Sequence, residues 1–98
     1  MAKKNKKMEH KSLSTVGEEK GFWVNNGPVL LSLSELASGV RKLSAEQFSH
    51  HVNAEKNDFA NWASGVFEDD SLAAKLAGLK SKAAIGKALS QHISELKK

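Results

Sequence analysis

The chain has 98 residues, a net charge of +4 and no cysteine. That length allows one domain, and without cysteine there is no disulfide, thiol chemistry or cysteine-ligated zinc. No run of large apolar residues exceeds three, as in Val29-Leu30-Leu31, so no transmembrane helix is expected, and the basic N-terminus lacks the apolar stretch of a signal peptide.

Charge is distributed unevenly. Residues 1–11 hold five lysines and Glu9, residues 12–71 are net acidic, and residues 72–98 hold six lysines and Glu95. Within residues 1–20 the only large apolar groups are Met1, Met8, Leu13 and Val16. Burying so few cannot offset the entropy of ordering the segment, which predicts a disordered basic tail over 1–20 and one helical domain over 21–98.

The ordered part opens with two short β-favouring runs, around Phe22-Trp23-Val24 and Val29-Leu30-Leu31, on either side of Asn25-Asn26-Gly27-Pro28. Asn-Gly tolerates positive φ and is a strong turn signal. Pro28 has no N–H, so a second strand starts beyond it or lies at an edge. The expectation is a hairpin-like cover on a helical body.

Ser32-Leu33-Ser34-Glu35 fits a capping box, with Leu31 and Leu36 in the hydrophobic staple positions. Leu33, Leu36, Ala37 and Val40 follow at helical spacing. Ser44-Ala45-Glu46-Gln47 repeats the device with Leu43 and Phe48 as staple, so a second helix starts near Ala45. A third carries Phe59, Trp62, Ala63 and Val66 inward. Glu68-Asp69-Asp70 opens a fourth, as carboxylates near a helix N-terminus should, and Gly78 stops it. Ser81 caps a fifth, whose stripe is Ile85, Ala88, Leu89, His92, Ile93 and Leu96. The fold class is therefore mainly α: a compact bundle of about five short helices under an N-terminal hairpin-like cover.

From Phe22 to Leu79 the chain resembles a family of small uncharacterised helical domains from bacteria and archaea. The resemblance rests on Ser32-Leu33-Ser34-Glu35-Leu36, Phe48-Ser49-His50-His51-Val52, Lys56-Asn57-Asp58-Phe59-Ala60-Asn61-Trp62, Asp69-Asp70 and Leu72-Ala73. It implies a fold unit that stands alone or is attached to other domains, and it implies no reaction, substrate or catalytic residue.

The polar stretch Ser49–Trp62 holds the densest side-chain chemistry. On one continuous helix, His51, Glu55 and Asp58 would share a face and could hold a metal. The spacing is not His-Glu-x-x-His, and Asn53, Asn57 and Asp58 are cap residues that compete with the backbone inside a helix. A break at 53–57 is expected instead. It makes His51, Asn53, Asn57 and Asp58 a polar corner that satisfies helix ends, with no metal, cofactor or catalytic group.

Two surface features remain. Lys3, Lys4, Lys6 and Lys7 of the tail, with Lys82 and Lys87, could contact nucleic-acid phosphates without reading sequence. A helix-turn-helix across Gly78–Ser81 is disfavoured, because it puts Lys87 where a core residue belongs. Trp23 alternates away from Phe22 and Val24 and could contact a partner, whereas Trp62 lies on an apolar stripe. There is no nucleophile elbow, Walker loop or dinucleotide fingerprint. The expectation is a cytoplasmic, non-catalytic interaction module with an unknown protein partner, or else a non-specific nucleic-acid-binding protein, and no membrane.

Overall fold

The computed structural model describes residues 11–97. In chain order they form β1 (Phe22–Trp23), β2 (Val29–Leu30), α1 (Leu33–Val40), α2 (Ala45–His51), α3 (Asp58–Phe67), α4 (Asp70–Ala77) and α5 (Lys82–Leu96). The sheet is one antiparallel hairpin, pairing Phe22 with Leu30 and Trp23 with Val29. The chain is a small helical bundle with a two-stranded cover. α1 packs along α5, and α3 along α4.

Side-chain caps set the helix starts. The Ser32, Ser44, Asn57, Asp69 and Ser81 side chains each accept from a backbone N–H in the first turn of the helix that follows. The box at Ser44 is complete, since Gln47 Oε1 accepts from the Ser44 N–H. At the first box Glu35 reaches one residue further and accepts from the Leu31 N–H at 2.7 Å. Gly78 ends α4, but with φ of −91° and not in the left-handed region. Glu68 supplies the left-handed turn instead, with φ of 56° after α3.

The hairpin turn forms where Asn26-Gly27 signals it. Only Asn26 has positive φ, at 56°, and the Gly27 N–H donates to the Val24 carbonyl. Positive φ at the third residue alone is the type II pattern, not type I′. Gly27 serves close approach here. A Cβ on it would lie 2.7 Å from Val24 Cγ1 and 3.2 Å from Gln47 Nε2.

The core joins both halves of the chain. Leu33, Leu36 and Val40 of α1, Phe59 and Ala63 of α3, Leu72 and Leu76 of α4, and Ile85 and Leu89 of α5 are fully buried. Phe67 is buried and Val66 only half so; α3 runs one residue beyond the expected stripe. Phe22 contacts Phe59 at 4.9 Å and Trp62 at 5.6 Å between ring centroids, and thereby seals the hairpin onto α3.

The expected boundary at residue 21 is corrected. Residues 11–20 belong to the fold, whereas residues 1–10 of the expected tail lie outside the described residues. Lys11–Leu13 forms a 3-10 turn in which Ser12 is buried. Leu13 and Val16 pack on the core, and the Val16 N–H donates to the Leu31 carbonyl at 2.8 Å. Composition undercounts such a segment, because it docks through backbone bonds and one buried hydroxyl as well as through apolar area.

Candidate functional site

The break in the polar stretch is real. α2 ends at His51 and α3 starts at Asp58, with Val52 bridging Asn57 between them. Asn53 ties the turn locally: its amide donates to the Ser49 carbonyl and its Oδ1 accepts from the Glu55 N–H. Asn57 is buried and works at two helix ends. Its Oδ1 accepts from the Ala60 N–H at 3.0 Å, and its Nδ2 donates to the Leu76 carbonyl at 2.8 Å, in the last turn of α4.

His51 is 4 % exposed and has both ring nitrogens engaged. Nε2 accepts from the Asn25 N–H at 3.0 Å. That role leaves the ring hydrogen on Nδ1, which donates to Asp58 Oδ2 at 2.9 Å. One turn earlier on the same face of α2, Gln47 Nε2 donates to the carbonyls of Asn25 and Asn26. α2 thus grips the hairpin turn by its backbone. Burial by itself would raise the Asp58 carboxyl, but hydrogen bonds from His51 and Lys56, with the charge of Lys56, hold it below its ordinary value.

A second histidine–aspartate pair, unforeseen from the sequence, sits at the opposite end of α3. His92 Nε2 lies 2.7 Å from Asp69 Oδ2, and Lys75 Nζ approaches His92 Nδ1 at 3.4 Å. Asp69 Oδ2 also accepts from the Ser12 hydroxyl, while its Oδ1 caps α4 through the Leu72 N–H. Burial again raises the carboxyl, and the bonds from Ser12, Leu72 and His92 outweigh it, leaving its pKa below the usual value. Serine and histidine both bind the same carboxylate oxygen and not each other, which is not the arrangement of a nucleophile and its base.

The shared helix face required for His51, Glu55 and Asp58 does not form, and Glu55 is exposed on the turn. Among the described residues no three His, Asp or Glu side chains converge on a metal-sized space. His50 is exposed and packs edge-on against His51. No buried side-chain nitrogen or oxygen among the described residues lacks a hydrogen-bond partner.

The expected surface contacts separate. Trp62 is buried, with its indole N–H donating to the Lys20 carbonyl at 2.8 Å. Trp23 is 63 % exposed, and its indole N–H donates to the Glu18 carbonyl at 3.1 Å. Lys3, Lys4, Lys6 and Lys7 lie outside the described residues. Lys82 is engaged with the fold, its Nζ donating to the Leu43 carbonyl at 2.6 Å. Lys87 is exposed on α5 and pairs with no carboxylate among the described residues. Among the described residues no helix is long and apolar enough to cross a membrane. Comparison of the chain with family models, curated proteins and solved structures finds no match.

Proposed function

We propose that this chain is a non-catalytic helical interaction module that docks a protein partner through Trp23. The carrying observation is the state of that residue. It is the one large hydrophobic side chain exposed among the described residues, it faces outward opposite Val29 on the hairpin, and its indole is fixed to Glu18. An aromatic already held in one orientation loses little freedom on docking, which suits an interface anchor. The fate of the titratable groups supports the non-catalytic part. His51, His92, Asp58 and Asp69 are all tied into helix ends or the hairpin, so using any of them as an acid or base would cost a structural bond.

A photo-crosslinking residue in place of Trp23 in the source cells should give discrete protein adducts. The same residue at exposed Ser71 should not. Equal adducts at both positions, or none at position 23, would reject the anchor.

A second reading, sequence-independent binding to nucleic acid, is favoured by a separate observation. Arg41, Lys42, Lys80, Lys87 and Lys97 are exposed, and none pairs with a carboxylate among the described residues. Uncompensated cations attract phosphate and release its counterions. Affinity for arbitrary duplex DNA that falls linearly on a log–log salt plot would support this reading, and absence of binding at low salt would end it.

A further inference from the structure

We propose that the groove between α1 and α5 seats the phosphate backbone of a nucleic acid, an inference that rests on the second reading above. The two helices run alongside each other, and the channel along their outer seam has a volume of about 340 Å³. Its polar lining is Ser34, Ser38 and Arg41 from α1 and Ser90, Ser94 and Lys97 from α5. On α1 these fall at i, i+4 and i+7. On α5, Lys87, Ser90, Ser94 and Lys97 fall at i, i+3, i+7 and i+10. Each set therefore lies on one helix face.

Acidic side chains near the seam are turned elsewhere. Glu35 is hooked back to the Leu31 N–H, and Glu95 leans toward Lys75 of α4 at 4.0 Å. What lines the groove is therefore hydroxyl donors between cations, the side-chain set that contacts phosphate without reading bases.

Arg41 is placed there by a glycine. It follows α1, and its side chain crosses α5 at Gly86, where a Cβ would lie 2.7 Å from Nε and 2.9 Å from Cζ. Gly86 is buried and flanked by Lys87. The missing side chain lets the guanidinium lie against α5 at one end of the groove, with Lys97 at the other. Arg41 Nη1 reaches the Ala37 carbonyl at 3.5 Å, at the limit of a hydrogen bond, so most of its donors face outward. Ten residues of helix separate Lys87 from Lys97, or about 15 Å.

The test is fluorescence anisotropy of the full chain with a labelled mixed-sequence DNA duplex of about 20 base pairs, over a salt series. Arg41→Ala, Lys87→Ala and Lys97→Ala should each lower affinity severalfold at low salt and reduce the log–log salt slope by about one. Ser38→Ala with Ser94→Ala should weaken binding and leave the slope unchanged, since no charge is lost. Lys80→Ala, which removes an exposed cation outside the groove, should behave as the parent. Thermal melts will show the variants folded, because all of these side chains are exposed. If the chain binds DNA but the groove variants match the parent while deletion of residues 1–10 removes binding, the groove is wrong and nucleic-acid binding stands. If the duplex is not bound at all, or only anionic phosphatidylglycerol vesicles are, both fall.

Discussion

Asn57 offers the sharpest test of how this fold is held together, because one side chain does two separable jobs. As N-cap it accepts from the Ala60 N–H, and as a donor it satisfies the Leu76 carbonyl. Loss of the cap costs about 1 kcal/mol, and a buried carbonyl left without a donor costs about 1–3 kcal/mol. Asn57→Ala should therefore lose about 2–4 kcal/mol, a large share of the stability of a domain this size. Asn57→Ser keeps a capping oxygen but is too short to reach Leu76 as well, so it should recover about 1 kcal/mol relative to alanine. Asn57→Asp also caps, yet it turns a carboxylate toward the Leu76 carbonyl. At neutral pH it should be no better than serine, and it should recover as acid protonates the carboxylate and makes it a donor. Urea denaturation read at constant m separates these cases. A serine variant as stable as the parent would show that the bond to Leu76 carries no weight, and equal serine and alanine variants would show the same of the cap.

The two lowered carboxyls predict acid sensitivity. The folded pKa values of Asp58 and Asp69 lie below 3.8, so the unfolded chain takes up these protons first. Their stabilisation is whole above the ordinary carboxylate value and is lost as pH falls through the lowered folded values. The parent's urea midpoint should thus drop more steeply below about pH 4 than that of an Asp58→Asn, Asp69→Asn double variant, and parallel curves would refute the assignment. Gly65 lies inside α3 with no atom within 4 Å of where a Cβ would stand, so Gly65→Ala should stabilise by about 0.5–1 kcal/mol in the same assay. Ser12→Ala should lower stability by about 1 kcal/mol, since Asp69 keeps its other two donors; no loss would mean that the Ser12 hydroxyl does not help to hold residues 11–16. In Trp62→Phe, the remaining emission should be red-shifted and readily quenched by iodide, because Trp23 is exposed.

Helix starts were legible because a cap is local. A serine or asparagine and the N–H it accepts from lie three residues apart, so Ser32, Ser44 and Ser81 could be placed from the sequence alone. The break before Asn57 was legible for the same reason. What stayed hidden is non-local. Nothing near Ser12 in the chain announces that its hydroxyl will meet Asp69, 57 residues away, and nothing near His92 announces the same carboxylate. The hairpin turn was legible in Asn26-Gly27, whereas the close approach of Val24 and Gln47 to Gly27 from the body of the protein was not. Gly86 reads as a weak spot in a helix until Arg41 is seen lying across it.

Short helices also explain why a stretch so rich in chemistry performs structural work. Every helix leaves backbone groups unsatisfied at both ends, and five short helices in a small chain create many such ends for few residues. Ser32, Ser44, Asn57, Asp69 and Ser81 are used on helix starts. Gln47 and His51 are used on the hairpin, and Lys82 on the chain after α1. His51 illustrates how firmly such a group is committed. A metal or a second proton at Nε2 would take the lone pair that accepts from the Asn25 N–H and leave that donor without its partner. Polar side chains that are tied down in this way hold the fold together. Exposed side chains outside these ties include Trp23 on the hairpin and, unpaired among the described residues, the cations Arg41, Lys42, Lys80, Lys87 and Lys97. Both functions proposed above accordingly rest on outer faces, on side chains that the fold leaves exposed.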